Sequence, residues 1–173
     1  VSVCYGLIGV PVTALVNAIQ NTNIRFIAFH NEQTASYAAS MSGYLNGSNP
    51  GILITVGGPG VIHALAGFTN AWINCVPLIM ISSSCPTDHT ALGGFQELDA
   101  LSAVRQYAKA CFRVTATTNI ASLLRVSRDM ATSGRPGPVF IDVPADILLG
   151  TCNHTMQAHL ADVMTPEPPI YSM

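Results

Sequence analysis

Residues 24–43, reading I-R-F-I-A-F-H-N-E-Q-T-A-S-Y-A-A-S-M-S-G, constrain the fold more than any other stretch. The run 24–29 is short, apolar and nearly free of charge, the profile of a strand buried on both faces. His30 and Asn31 break it. Glu32 then opens a segment in which Ala35, Ala38, Ala39, Ser42 and Gly43 form a small-residue stripe, suited to close helix packing. One carboxylate therefore stands where the carboxyl end of a strand meets the amino end of a helix, the crevice in which open α/β sheets bind ligands. Glu32 is the only acid before Asp88, and a carboxylate among apolar residues is unfavourable without a partner. The alternative is that it merely complements the positive end of its own helix.

The same alternation runs along the chain. Strands are expected at 1–8, 24–29, 52–56, 78–81, 112–114 and 139–143, with helices after Pro11, from Glu32 to 44–45, and at 61–72, 98–110 and 120–131. Pro11 is placed at or near the first helical position, where a missing N–H is harmless, and Asn119 is expected to cap the helix at 120–131. Strands alternating with helices predict an α/β fold: a doubly wound, mainly parallel six-stranded sheet with helices on both faces. One domain, 1–149, accounts for this pattern. Residues 150–173, with Pro166, Pro168 and Pro169, read as a linker or the start of a further domain.

Composition sharpens the reading. Charged residues make up only 9% of 173, against about 25% for an ordinary soluble domain. Seven basic and nine acidic side chains are few for a free α/β surface, so other domains or subunits are expected to cover much of it. Membrane insertion is not the explanation, because no run of about 18 apolar residues is uninterrupted. A net charge of −2 without a basic patch argues against nucleic acid. Five scattered cysteines without C-x-x-C point to reduced thiols in an intracellular compartment. The triplets Asn46-Gly47-Ser48 and Asn153-His154-Thr155 fit the glycosylation pattern only as short motifs do by chance. A start inside a strand, with no signal peptide, suggests a fragment.

Several candidate sites have bland alternatives. Gly57-Gly58-Pro59-Gly60 could cradle a phosphate at a helix amino terminus. It departs from G-x-G-x-x-G, because the last position is His63, and no acid follows at ribose distance. Its glycines fit better the close approach of a flat group. His30, His63 and His89 are too scattered for a metal centre, and His63 alone would ordinarily be an interior histidine. Ser82-Ser83-Ser84 lacks a nucleophile elbow, and Cys75 and Cys85 read as inert thiols. The polar loop 82–94 is long enough to be functional. Phe95-Gln96-Glu97 closes it, or else simply starts a helix with Glu97 favouring the dipole.

Taken together, the motifs resemble the pyrimidine-binding domain of thiamine-diphosphate-dependent enzymes. The markers are Gly9-Val10-Pro11-Val12, Asn31-Glu32-Gln33, Gly58-Pro59-Gly60, Asn74-Cys75-Val76-Pro77 and Gly134-Arg135-Pro136-Gly137-Pro138 leading into 139–144. They span about residues 3–148 in the family's order. Within that superfamily the chain is most similar to 2-hydroxyacyl-CoA lyases, with oxalyl-CoA decarboxylases the close rival. Phe95-Gln96-Glu97 and His63 match the lyases, where decarboxylases carry a tyrosine-glutamate pair and an asparagine. Acetolactate synthases share the Phe-Gln-Glu loop but differ around Asn74-Cys75.

The resemblance implies that Glu32 is the catalytic glutamate. It would hydrogen-bond the N1′ nitrogen of the aminopyrimidine ring and favour the imino form that removes the cofactor's C2 proton. Pro11, Gly58 and Pro59 would line the pyrimidine slot. His63 and Gln96 would lie near the reacting carbonyl, Gln96 donating to a developing alkoxide. The reaction would split a 2-hydroxyacyl-CoA into formyl-CoA and a shortened aldehyde. The resemblance further implies a partner: the diphosphate-binding domain of another subunit in a homo-oligomer, holding Mg²⁺ through a Gly-Asp-Gly motif. That motif is absent from this sequence. The chain is thus expected to hold half an active site, inactive alone and lacking the helix that usually precedes the first strand. A non-catalytic protein that keeps the fold for assembly is the other class. The compartment would be peroxisomal or cytoplasmic, although Tyr171-Ser172-Met173 is no peroxisomal address.

Overall fold

Runs of apolar and β-branched residues form one all-parallel sheet in the computed structural model, which describes residues 1–47 and 49–151. The strands are β1 (Val3–Gly6), β2 (Arg25–Ala28), β3 (Gly51–Val56), β4 (Leu78–Ser83), β5 (Ala110–Arg113) and β6 (Pro138–Asp142), in the spatial order β2-β1-β3-β4-β6-β5. The helices are α1 (Thr13–Gln20), α2 (Glu32–Asn46), α3 (Pro59–Ile73), α4 (Ala100–Arg105), α5 (Ile120–Thr132) and α6 (Ala145–Leu148).

Side chains of the central strands alternate between two cores, as a period of two requires. Leu53, Leu78, Met80 and Phe140 meet Ala35 and Ala39 of α2, Val61, Ala64 and Phe68 of α3, and Val104 of α4. On the opposite face Ile79, Ile81, Val139 and Ile141 meet Leu123 and Ala131 of α5 and Ile147 of α6, while Ile54 and Val56 meet Val12, which precedes α1, and Val16 within it. Helices on both faces of a parallel sheet make the fold doubly wound, as the alternation predicts.

Close packing of α2 on α3 depends on missing side chains. A Cβ on Gly67 would lie 2.2 Å from Ser36 Oγ. Without it, the Gly67 N–H donates to Ser36 Oγ at 3.1 Å, and that hydroxyl donates to Gln33 O at 2.7 Å. Ala35, Ala39 and Gly43 of the expected stripe are buried, joined by Ser36 and Ser40.

Several expectations are corrected. Strand β2 is an edge strand and its residues are at most half-buried. Pro11 is not in α1: it follows a cis Val10–Pro11 bond, and the helix begins at Thr13. Ser82 and Ser83 belong to β4 rather than to the following loop. The helix expected at 98–110 is only Ala100–Arg105, because Asp99 caps it through the Ser102 N–H and the chain then turns into β5, which starts before 112. Asn119 makes no capping bond; its side-chain amide donates to Thr115 Oγ1 at 3.4 Å. The short helix α6 was not anticipated. Ser48, Cys152, the Asn153 triplet and residues 152–173 of the expected linker lie outside the described residues.

Candidate active site

From β1 the chain crosses to β2 on one side, and β3 lies on the other side of β1. The connections leaving β1 and β3 therefore part above their carboxyl ends, a topological switch point. A cavity of about 620 Å³ opens there. Leu7, Gly9 and Val10 follow β1, Val56 ends β3, Pro59, Gly60 and His63 come from α3, Phe95 and Gln96 from the loop before α4, and Glu32 from α2.

Glu32 is the first residue of α2, and its residue exposure is only 8%. Asn31 fixes that helix end: Asn31 Oδ1 accepts from the Thr34 N–H at 3.2 Å, and Thr34 Oγ1 donates to Asn31 O at 2.9 Å. His63 Nδ1 lies 3.2 Å from Glu32 Oε2, so the Nδ1–H tautomer donates to the carboxylate. The His63 side chain is 62% exposed. It is a rim residue, not an interior histidine, and Glu32 has a partner beyond its own helix dipole. Gly60 keeps space beside the carboxyl: a Cβ there would sit 3.5 Å from Glu32 Oε1 and 2.7 Å from Val56 Cγ2.

Gln96 reaches the cavity from a tightly folded loop. Its φ is +58°, a left-handed conformation uncommon for a side-chain-bearing residue. Its Oε1 is buried with no hydrogen-bond partner among the described residues. Gly58 (φ +56°) packs against it from below, where a Cβ would lie 2.8 Å from Gln96 O. Glu97 does not start a helix. Its carboxylate accepts the Ala91, Gly93 and Gly94 N–H groups, the last two at 2.7 and 3.0 Å. The Ala91 N–H foremost, then Gly94, Gly93 and the Arg113 charge, hold this carboxyl below its ordinary value. At the loop's other end Asp146 accepts from Thr87 N at 3.0 Å and from Thr87 Oγ1 at 2.6 Å.

A second cavity of about 260 Å³ adjoins the first. The two share Val10, Phe95 and Gln96; Pro11, Ser83, Cys85 and His89 are among the other walls of the second. Of the residues singled out from sequence, Glu32, Pro59, His63 and Gln96 thus meet in one cavity. Pro11 faces the neighbouring one, and Gly58 supports Gln96 without lining either.

One cluster had no sequence signal. Asp142 at the end of β6 is 3% exposed. It accepts from Ser84 Oγ at 3.0 Å, and Arg113 Nε lies 3.5 Å from its Oδ2. Burial pushes this carboxyl up, while Arg113 and Ser84 pull the other way. Its members are 29 and 58 residues apart, too far for any local pattern.

Among the described residues no group of three or more His, Cys, Asp or Glu could hold a metal ion. No helix there is long and apolar enough to cross a membrane. Cys4, Cys75, Cys85 and Cys111 are free thiols.

Comparison with known proteins fits this geometry. The family described as "Thiamine pyrophosphate enzyme, N-terminal TPP binding domain" matches residues 1–103. A 2-hydroxyacyl-CoA lyase of Arabidopsis thaliana is 48% identical over 144 residues, covering 83% of this chain and 25% of the relative. The 2-hydroxyacyl-CoA lyase 1 of Mus musculus is 40% identical over 172 residues, 98% of this chain and 28% of the relative. The oxalyl-CoA decarboxylase of Escherichia coli K12 is 42% identical over 149 residues, 85% and 26% respectively. The chain spans about a quarter of the length of these curated relatives. With a buried carboxyl at the sheet's switch point and a family match across most of the sheet, the chain belongs to the N-terminal TPP-binding domain family of thiamine pyrophosphate enzymes.

Proposed function

We propose that this chain supplies the pyrimidine-binding half of the active site of a thiamine-diphosphate-dependent carbon–carbon lyase. The complete enzyme would cleave a 2-hydroxyacyl-CoA to formyl-CoA and an aldehyde one carbon shorter. The observation that carries the reading is the Glu32 carboxyl, nearly buried in a largely apolar cavity that is open beside Gly60.

The residues present fit the pyrimidine end of the cofactor. A flat heteroaromatic ring needs apolar walls and one in-plane hydrogen-bonding group. Val10, Val56 and Pro59 supply the first and Glu32 the second. The missing Cβ of Gly60 leaves Oε1 approachable, while Oε2 is engaged by His63. Bound thiamine diphosphate supplies a carbon nucleophile and an electron sink. Glu32 would hold a proton against a ring nitrogen of the pyrimidine, in a site where exclusion of water strengthens that bond. His63 would keep the carboxyl oriented. Gln96, whose buried Oε1 has no partner among the described residues, would offer its amide to the substrate's polar atoms.

The surface is consistent with a partner. Tyr37, Met41, Tyr44 and Leu45 of α2, with Ile62 and Ile73 of α3, are exposed on a chain with few charges. Such a face favours coverage by another subunit. The reading assigns that role to a diphosphate-binding domain, which would also hold Mg²⁺, in an intracellular homo-oligomer. Alone, the chain would be inactive.

Mixing this chain with a separately expressed diphosphate-binding domain, Mg²⁺ and thiamine diphosphate tests the proposal. Formation of formyl-CoA from a 2-hydroxyacyl-CoA is the expected result. Turnover of oxalyl-CoA instead would favour the second reading, supported by the 42% identity to the E. coli decarboxylase. A complex without turnover of either would favour a non-catalytic assembly role.

A further inference from the structure

Gln96 forms a wall of both cavities, and nothing in its own side chain holds it there: its backbone is left-handed and its Oε1 has no partner among the described residues. What fixes the segment is its neighbour. Glu97 lines neither cavity. Its carboxylate turns back and accepts three backbone N–H groups, from Ala91, Gly93 and Gly94, drawing residues 91–97 into one closed turn. Ala91 and Gly93 also have positive φ, at 66° and 72°, as does Gln96. For Ala91 and Gln96 that backbone is strained and favours opening in the absence of a restraint, whereas Gly93 adopts it freely. We propose that Glu97 is a positioning residue whose carboxylate clamps the 91–97 turn and so sets where Gln96 stands between the two cavities.

The clamp depends on reach and on the number of acceptors, not on charge alone. Two carboxylate oxygens serve three donors. Aspartate keeps the charge and lies one methylene short. Glutamine keeps the reach and one acceptor oxygen, but its NH₂ opposes an N–H. Position therefore ranks the variants wild type, then Glu97→Gln, then Glu97→Asp and Glu97→Ala together. A charge effect on α4 or on Arg113 would place Glu97→Asp beside the wild type instead.

The test uses the full chain, with backbone amide exchange and the Gln96 side-chain NMR signals as primary readouts. In Glu97→Ala and Glu97→Asp, exchange at residues 91, 93 and 94 should rise at least about tenfold, the effect of losing a charged hydrogen bond. The Gln96 amide signals should shift or broaden. Amides of β3 and β4 should keep their protection, which separates local loosening from lost stability. A third readout rests on the proposed function: binding of 4-amino-5-hydroxymethyl-2-methylpyrimidine, the pyrimidine half of the cofactor, should weaken about fivefold in Glu97→Ala. If the wild type does not bind this probe, the functional reading suffers, and the exchange and Gln96 readouts still decide the clamp. Faster exchange with unchanged Gln96 signals would overturn it. So would wild-type behaviour of Glu97→Asp, or global unfolding of both Glu97→Ala and Glu97→Gln, which would assign Glu97 to stability alone.

Discussion

Glu32 Oε2 and His63 Nδ1 stand 3.2 Å apart, joining the first turn of α2 to the first turns of α3 across the mouth of the cavity. The carboxyl is buried and the imidazole largely exposed, so the pair orients a group rather than supporting the core. His63→Ala should be destabilising by about 1 kcal/mol, because it leaves the nearly buried Glu32 Oε2 without this hydrogen bond. In the complex with a diphosphate-binding domain it should lower any formyl-CoA turnover about tenfold through a less fixed carboxyl. Denaturant unfolding alongside the assay checks both, and a large stability loss would contradict the assignment.

Gly67→Ala should be destabilising by about 1–3 kcal/mol or more, the range for overpacking. Its Cβ would lie 2.5 Å from the Ser36 carbonyl carbon and the Tyr37 nitrogen, and backbone cannot swing aside as a side chain can. Because α2 carries Glu32 and α3 carries His63, separating the helices should also weaken pyrimidine binding. Urea melts and probe titration of the same variant measure the two effects.

Acid should leave the 91–97 turn closed longer than an ordinary carboxylate would. Glu97 titrates below the usual glutamate value of 4.5 in the folded chain, chiefly through the Ala91 N–H. A folded value below the unfolded one means the contribution is complete above the unfolded value and disappears as pH falls through the folded one. Amide protection at 91, 93 and 94 should therefore persist at pH 4.5 and fade only below it. Fading above that point would contradict the bonding pattern.

Arg113→Met should cost about 2–4 kcal/mol by leaving Asp142 buried without its cation. This is somewhat under the value for a fully buried pair, because Arg113 is 36% exposed. The Asp142 carboxyl is raised in the fold, so its ionisation opposes stability as pH rises, and the variant should regain stability on acidification. Adding Asp142→Asn should recover much of the loss. Denaturant midpoints of the single and double variants decide it.

Much of the fold is legible from periodicity because β3, β4 and β6 are covered on both faces and read as continuous apolar runs. The run 24–29 has the same appearance yet forms one edge of the sheet: composition registers apolar side chains, not whether a strand has one neighbour or two. Helix α4 is shorter than expected because Asp99 sets its start and the turn at Tyr107 ends it before β5, neither of which interrupts the helical pattern. Glu32 stood out as a single acid in an apolar half-chain. By contrast, Pro11 could not be assigned to one cavity or the other, since that depends on how the Gly9–Pro11 turn passes between them. Glu97 was open to a dipole reading because its three partners are backbone groups, which no residue pattern encodes.

The most direct measurement is Glu32→Gln in the complex with the diphosphate-binding domain, Mg²⁺ and thiamine diphosphate, assayed for formyl-CoA. Glutamine keeps the shape and removes the acid, so turnover should fall at least about a hundredfold, within the range contributed by a positioned proton-transfer group, while the chain still folds and assembles. Wild-type turnover in that variant would contradict the role given to this carboxyl.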